Sequence, residues 1–583
     1  MPVGLPSRGG PMGRTRGRLS ASALTTYLRC PRQWLLGYQA GLSEPTRTPQ
    51  ILGVVLEEAL CSLMMHHPPA NVDGRQDLEA WAGPHVDRLV ATALDEGKEA
   101  WEASLWKADG ESWADVEVED VKDRLLGGLS LFLDEVEACH AAGGGPYLDA
   151  HRRGEQAFTV PAPCWGSEPV FPLPEKVPDV ALRRWDAPEA ATWSLPGEPV
   201  RWNEAWECAR PWFKDPRVYQ PQRLYHPDDW ASGELDLVLR WDGNVRIVDI
   251  KSGRSSSPFA SSLEHQLRFY AWLWHETHDG EVAAGMAGWY LNGAEQVVYT
   301  PPSSEEMVGL TAEYTSVHEA MQSMVEGVIP FPPGFEDACN ADQAGCGWCA
   351  VCFNEQGAWT GPERLAWMKD LQEVSLNSPY QPLHSIQGRV AVRGRLTGAW
   401  GPMPNHFGEP VLGAVLVVGQ QHITLEESEP GSFPDLHALL EKEVVLLDAL
   451  PGVWRDQPRL YVDQRSTLVL EGDEPTSLGE ANFTRLGLLR TRANVQGYVL
   501  SLSRRSGIRV DGKPWSMVSF ILWDGQHLAE TVAFGSSISQ RLLDLKPGDC
   551  VAMTGVEIGW RGGILQLRID NRKTRLETQR TMQ

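Results

Sequence analysis

The sequence predicts an α/β chain with a helical N-terminal part, a central strand–turn–strand–helix unit and two all-β segments at its C-terminal end. Three observations carry that class. Residues 19–140 place apolar side chains at mostly helical spacing. Residues 233–276 hold two alternating runs around Asp242-Gly243, followed by a helical pattern. From about residue 385, apolar alternation broken by glycine takes over, in two segments of roughly 385–472 and 488–575.

A length of 583 residues allows roughly three to five domains of about 100–200 residues each. The expected division is a basic, disordered tail over 1–18, one large α/β domain over 19–375, and β domains over 385–480 and 485–583. Within the large domain, 155–160 alternates as a strand, the Pro- and Trp-rich stretch 161–232 reads as an irregular insertion, and 360–376 reads as a connecting helix. A hydrophobic content of 42% excludes global disorder. No run of about 18 apolar residues occurs, so no membrane span or membrane partner is expected. Residues 1–18 carry Arg8, Arg14, Arg16 and Arg18 without an apolar stretch, which is not a secretory signal, and a cytoplasmic location follows as the expectation.

The formal net charge of −25 would argue against a polyanionic partner if it were uniform. It is not. Residues 1–50 hold seven Arg against one acid, Glu44, and residues 484–583 hold fifteen basic residues against eight acids. The acidity lies between; basic ends on an acidic chain suit a polyanion, and equally fit a solvated surface that is merely Arg-rich.

The segment Gly233-Glu-Leu-Asp236-Leu-Val-Leu-Arg-Trp-Asp242-Gly243-Asn-Val-Arg-Ile-Val-Asp249-Ile-Lys251 is the most informative. Asp-Gly is a strong two-residue hairpin turn. If Asp242 and Gly243 form it, paired positions sum to 485, and Asp236 stands opposite Asp249. Opposed side chains lie about 4.5–5.5 Å apart, where like charges repel. Lys251 shares the face of Asp249 by strand alternation. Two carboxylates beside one amine make a site for a hard divalent cation such as Mg²⁺. An exposed hairpin, with Lys251 merely paired to Glu234 or Asp249, is the plainer alternative.

Two helices flank this unit. Ser261-Ser-Leu-Glu264 reads as a capping box, and behind it Gln266 and Tyr270, four apart, share a face. They either offer polar groups to the same cleft or form a core tyrosine with a glutamine at its rim. A helix over about Gly53–Met65 buries Leu56, Ala59, Leu60, Leu63 and Met64; Glu57 borders that stripe and Glu58 points to solvent. From that border Glu57 is a further candidate metal ligand, with a plain surface carboxylate as the simpler alternative.

Ten cysteines are too few for a disulfide scaffold. Cys346-Gly-Trp-Cys349-Ala-Val-Cys352, with Cys339 upstream, is a dense thiolate cluster of the kind that holds Zn²⁺ or an iron–sulfur cluster. Either the four late cysteines form a zinc site, or Cys30, in Leu28-Arg-Cys30-Pro31, joins three of them. Cys61, Cys139, Cys164, Cys208 and Cys550 stand alone and read as small buried residues.

Together these residues resemble the PD-(D/E)xK nuclease superfamily, in particular its RecB/AddB-like branch and the related CRISPR-associated nucleases of spacer acquisition. Ser20-Ala-Ser22-Ala-Leu24-Thr-Thr-Tyr27-Leu-Arg-Cys30-Pro31-Arg-Gln-Trp34 is similar to the opening signature of that branch, Gly233-x2-Asp236 to its Gly-x-x-Asp motif, Asp249-Ile-Lys251 to its (D/E)-x-K motif and Gln266-x3-Tyr270 to its Gln-x3-Tyr motif. The resemblance covers roughly 19–355 and implies a restriction-endonuclease-like core. It implies that Asp236, Asp249 and the carbonyl of Ile250 bind Mg²⁺ or Mn²⁺, and that Lys251 positions or activates the attacking water. It places Gln266 and Tyr270 near the DNA. Glu57 stands where the family has His, as a metal ligand. Cys30 with three late cysteines, taken as Cys346, Cys349 and Cys352, would hold a [4Fe–4S] cluster clasping the two ends of the domain.

Residues 488–575 resemble an OB-fold: Gly497-Tyr-Val, Val518-Ser-Phe-Ile-Leu-Trp523-Asp524, a helix-like Ser539–Leu545, Lys546-Pro-Gly-Asp549 and Gly555-Val-Glu follow in order. Arg504, Arg505, Arg509 and Lys513 lie in or beside one hairpin with Trp515 nearby, a basic and aromatic surface of the sort that holds single-stranded nucleic acid. A structural barrel used for protein contacts is the alternative there; residues 385–472 read as a second, less basic OB-like barrel, for which a structural role fits at least as well. The expected activity is metal-dependent DNA phosphodiester hydrolysis, on single-stranded DNA or DNA with single-stranded ends. The alternative is a catalytically degenerate DNA-binding scaffold. No Gly-x4-Gly-Lys-Ser/Thr motif is present, so any helicase would be a separate partner chain.

Overall fold

The structure is a computed structural model. It describes residues 18–64, 66–146, 148, 194–195, 197–211, 224–256, 261–323, 329–330, 380–386, 388–404, 410–428, 431–433, 436–454, 457–463, 465–473, 483–508, 513–524, 527–561 and 564–579. The expected strand at 155–160, the connecting helix at 360–376, and Cys164, Cys339, Cys346, Cys349, Cys352 and Arg509 lie outside them. The chain divides into two compact units, residues 1–29 with 45–322, and residues 30–44 with 323–583.

The first unit opens with α1 (Ala21–Arg29), where the Ser20 hydroxyl accepts from the Ala23 amide at 3.2 Å as an N-terminal cap. Three longer helices follow, α2 (Thr48–Met64), α3 (Arg75–Ala103) and α4 (Val118–Ala141). The apolar stripe expected on α2 is buried, Leu56, Leu60, Leu63 and Met64 completely. Glu58 does not point to open solvent. It is half-buried beside Glu96 of α3, whose carboxyl is raised above the usual range by burial and then by the Glu58 charge.

The stretch 161–232 is not an irregular insertion where it is described. Trp202–Ala209 forms α5, which packs on α4. Trp206 is fully buried, meets Phe132 and Trp81 edge-on, and donates from its indole to the Met64 and His66 carbonyls at 3.1 and 2.9 Å. Arg210, paired with Glu207 at 2.5 Å, donates to the same two carbonyls. The indole and guanidinium satisfy the carbonyls exposed where α2 ends. Beyond it, β1 (Leu224–Tyr225) pairs with β2 (Ser232–Gly233), and Leu19 bridges to Ala231.

A four-stranded sheet completes this unit, in the order β3 (Leu237–Leu239), β4 (Arg246–Lys251), β5 (Gly285–Tyr290), β6 (Glu295–Tyr299). β3 and β4 are antiparallel with Leu237 opposite Val248 and Leu239 opposite Arg246, the expected register. The tight two-residue turn is replaced by a wider one. The ladder stops at Leu239 and Arg246, and the Gly243 amide closes a turn on the Arg240 carbonyl at 2.9 Å. Glu135 of α4 explains the opening: it accepts from the Trp241 indole at 3.0 Å and from Arg246 at 2.7 and 2.8 Å, drawing the hairpin end toward the helix. Between β4 and the parallel β5 runs α6 (Ser261–Thr277), and α7 (Ser304–Ser323) follows β6.

In the second unit a short helix begins at Pro31, whose fixed φ suits the first helical position, and passes into a π-helical turn, Leu35–Ala40. Its Ser43 hydroxyl donates to the Leu502 carbonyl at 3.2 Å. β7 (Ile329–Pro330) pairs with a strand of the C-terminal barrel, β16 below. Two barrels then share one topology. In the first, β8 (Val390–Pro404), β9 (Pro410–Val418) and β10 (Gln421–Glu427) form a meander. α8 (Leu436–Leu439) precedes β11 (Glu443–Trp454) and β12 (Gln457–Val462). β12 runs parallel to β10 and antiparallel to β11, and β11 returns to β8, closing five strands; β13 (Thr467–Leu470) adds to β11.

The second barrel repeats the plan with β14 (Arg492–Ile508), β15 (Pro514–Trp523), β16 (His527–Phe534), α9 (Gln540–Leu543), β17 (Cys550–Arg561) and β18 (Ile564–Ile569). Here β18 is parallel to β16, β17 closes on β14, and β19 (Arg575–Gln579) adds to β17. A five-stranded Greek-key barrel with a helix before its fourth strand is the OB-fold. The Lys546–Asp549 turn forms, with the Lys546 amide donating to the Asp549 carboxylate at 2.9 Å. Cys30, Cys61, Cys139, Cys208 and Cys550 are all buried. No described helix is long and apolar enough to cross a membrane.

Because Trp206 joins three helices and caps a fourth element's end, Trp206→Ala should lower unfolding free energy by about 3–5 kcal/mol. Denaturant melts of the two proteins check this; a change below about 1 kcal/mol would contradict it.

Candidate active site

β4 is buried along its length except at Arg246 and Lys251, as a central strand covered on both faces should be. In that setting a carboxylate is costly, yet Asp249 is 1% exposed. Its charge is held by Lys251, whose Nζ lies 2.5 Å from Asp249 Oδ2 while the lysine side chain keeps 38% exposure. The pairing is to Asp249, two residues away on the same face.

Asp236 stands immediately before β3. Its Oδ2 accepts from the Ile250 amide at 2.9 Å, so a side chain fills the place of the next ladder bond. This bond anchors the second carboxylate beside the backbone between Asp249 and Lys251. Burial works against the Lys251 ammonium, but the charges of Asp249 and Asp236 outweigh it and leave its pKa above the ordinary lysine value.

Across the parallel ladder Asp249 is level with Gly288, and Lys251 with Tyr290. A Cβ at Gly288 would meet Leu263 at 2.5 Å, so the missing side chain lets α6 lie close to the sheet beside Asp249. From α6, the Gln266 Oε1 accepts from Lys251 Nζ at 3.4 Å, and the Gln266 amide donates to the Tyr270 hydroxyl at 3.1 Å. Tyr270 is 8% exposed, with its pKa pushed far up by burial and then by Asp249 and Asp236. Its ring lies under Gly233, where a Cβ would sit 3.2 Å from Tyr270 and 2.9 Å from Leu273. The glycine of the Gly-x-x-Asp segment is therefore a packing requirement. Gln266 and Tyr270 combine both sequence alternatives: a core tyrosine, and a glutamine turned to the lysine. Tyr290 forms a further wall, its hydroxyl pushed up to about 12 by burial and by its bond to Tyr299.

Glu57 lies on α2, half-buried, one turn after Gly53, whose Cβ position is 3.5 Å from the Ser252 hydroxyl. The helix thus passes the end of β4. Among the described residues no three His, Cys, Asp or Glu side chains gather as a metal-holding group, so Glu57 is not closed onto Asp236 and Asp249. What the structure does bring together is the Asp236 carboxylate and the Ile250 amide, next along β4 from Asp249, and carboxylate oxygens are hard donors suited to Mg²⁺ or Mn²⁺. Of the cysteine group only Cys30 is described, 7% exposed in the second unit; its suggested partners lie outside the described residues.

Sequence reasoning missed Arg124 of α4, which donates to the Ser252 carbonyl at 3.1 Å and pairs with Asp120 at 2.7 Å. It also missed Gly288 and Tyr290, which no local motif singles out. In the second barrel, Arg504 and Lys513 are exposed, and the Trp515 ring lies against Gly507 across the β14–β15 ladder.

A buried strand aspartate, a second aspartate anchored to the same strand and a lysine two residues on define a carboxylate–lysine site on an α/β sheet. The model of the PD-(D/E)XK nuclease superfamily matches residues 18–136 and 180–353, half of the chain. The chain belongs to that superfamily. The second matched segment begins inside the stretch 161–232, which by sequence alone reads as an irregular insertion. Comparison with curated proteins finds no match.

Among solved structures, the chain aligns with a murine DNA binding protein bound with double-stranded DNA at 11% identity, covering 33% of this chain and 97% of that one, TM-score 0.13. It aligns with a Replication Protein A heterotrimer bound to single-stranded DNA at 14% identity, covering 35% and 52%, TM-score 0.14. Fission yeast Pot1 with single-stranded DNA aligns at 13% identity, covering 36% and 93%, TM-score 0.12. Alignments at such TM-scores define neither the fold nor the ligand of this chain.

Gly233→Ala should destabilise the first unit by about 1–3 kcal/mol, since its Cβ has no room against Tyr270 and Leu273. Thermal unfolding would show it, and in a Leu273→Ala background the added cost of Gly233→Ala should shrink, although the doubly substituted protein is less stable overall.

Proposed function

We propose that the protein is a metal-dependent deoxyribonuclease that hydrolyses phosphodiester bonds in DNA that is single-stranded or has single-stranded ends. The observation that carries the reading is the pairing of buried Asp249 with Lys251 while Asp236 is bonded to the residue between them. Asp236, Asp249 and the Ile250 carbonyl would hold Mg²⁺ or Mn²⁺, with Glu57 as a further donor. Such an ion polarises a phosphoryl oxygen and lowers the pKa of a water.

The chain's own groups do the rest. Lys251 offers its ammonium to orient the attacking water and to meet phosphate charge. Gln266 accepts from that ammonium and, steadied by Tyr270, limits where it can point. Tyr270 is too deeply enclosed to meet DNA itself, so its role is to position Gln266. The 3′-oxygen leaves in line with the attack. The OB topology of both barrels, with Arg504, Arg505, Lys513 and Trp515 on one hairpin of the second, supports single strands as the bound form. Glu57 in place of His favours a second reading, a scaffold that binds DNA without cutting it.

With Mg²⁺ or Mn²⁺ supplied, Asp249→Asn and Lys251→Ala should each lower cleavage of an end-labelled oligonucleotide by about 10²-fold or more. Wild-type rates in either variant would remove the site, and binding without any cleavage by the wild type would establish the scaffold. Cys30, with Cys346, Cys349 and Cys352, is proposed to hold a [4Fe–4S] cluster. Protein purified without oxygen should then be brown and lose visible absorbance in Cys30→Ser. A colourless, zinc-loaded protein would point instead to Cys339, Cys346, Cys349 and Cys352.

A further inference from the structure

We infer that Arg254 is a phosphate-binding residue, which grips the nucleic-acid backbone one or two nucleotides from the scissile bond. The inference rests on the nuclease reading above and deepens it by naming a substrate contact.

The argument starts from charge. The site is built on carboxylates, in the acidic part of the chain, and a polyanion approaching it needs cations. Of the cationic side chains at the C-terminal end of β4, Lys251 is paired with Asp249 and Arg124 with Asp120. Arg254 is different. It is exposed and donates through Nε to a neutral group, the Asn292 Oδ1, at 3.2 Å. Among the described residues no acid pairs with it, so both terminal amines of the guanidinium keep their charge and their hydrogens for a ligand. The planar fork of arginine matches a phosphate in two parallel bonds.

Position supports the same assignment. Arg254 follows Lys251 by three residues, so the two Cα atoms are at most about 10 Å apart. It lies past the C-terminal ends of the parallel strands β4 and β5, where ligands of open α/β sheets bind. The loop that carries it is held in place. The Leu291 amide donates to the Lys251 carbonyl at 2.9 Å, Arg124 donates to the Ser252 carbonyl at 3.1 Å, and Ser255 bonds to Glu295. A guanidinium already oriented through Nε loses little freedom when it binds.

The test measures kcat and KM for a single-stranded oligonucleotide with Mn²⁺ across a salt series, for the full chain and for Arg254→Ala, Arg254→Lys and Asn292→Ala. Arg254→Ala should raise KM about 3- to 10-fold, leave kcat within about twofold, and reduce the slope of log(kcat/KM) against log[salt] by about 0.7, one single-strand phosphate contact. Arg254→Lys should restore the slope but only part of KM, and Asn292→Ala should raise KM with the slope unchanged. Cleavage by the wild type with the same KM and slope in Arg254→Ala overturns this inference alone. A loss confined to kcat also overturns it. Absence of cleavage by the wild type overturns the nuclease reading and this inference with it.

Discussion

The arrangement of the first unit depends on one costly choice, an aspartate buried in its central strand. An isolated carboxylate there would lose its hydration for nothing. Asp249 is tolerable because Lys251 returns on the same face two residues later, its stem within the protein and its flank in solvent. The field of Asp249, joined by that of Asp236, in turn keeps the lysine charged against its own burial. Each group makes the other possible, and neither helix nor strand propensity favours either one.

Neighbouring elements are shaped around that pair. Gly288 removes a side chain beside Asp249 so that α6 can approach, and Gly233 removes another so that Tyr270 and Leu273 can pack against the chain there. With α6 at that distance, Gln266 reaches the lysine. On the far side, Glu135 of α4 draws the hairpin end inward through Trp241 and Arg246. The C-terminal barrels follow another logic. Each closes five strands into a ring, which leaves few free edges and exposes the outer strand faces to any partner.

Local patterns made much of this legible. The β3–β4 register could be read because the Asp242-Gly243 turn and the alternation around it agree on one pairing. The stripe on α2 could be read because 17 residues contain almost five turns of a 3.6-residue period. The helix Trp202–Ala209 could not: eight residues make little more than two turns, set between Pro- and Trp-rich stretches. Glu58 could not be placed from α2 alone, because the outward face of that helix is outward only until α3 packs on it. Asp236 opposite Asp249 followed from pairing arithmetic, but the bond from the Ile250 amide to the Asp236 carboxylate has no counterpart in a ladder rule.

The sequence by itself determined the strand pairing at the site, the spacing of aspartate and lysine, the helical N-terminal part and the strand content of both barrels. All of these rest on interactions between residues close in the chain, where turn type and side-chain period constrain the answer. Tertiary structure decided which partner Lys251 takes, how deep Tyr270 lies, that Arg124 braces the loop after β4, and that Trp206 closes the end of α2. Those depend on the distance between elements far apart in sequence. That distance is set by packing of whole faces, where a single missing Cβ moves a helix by more than any local pattern records.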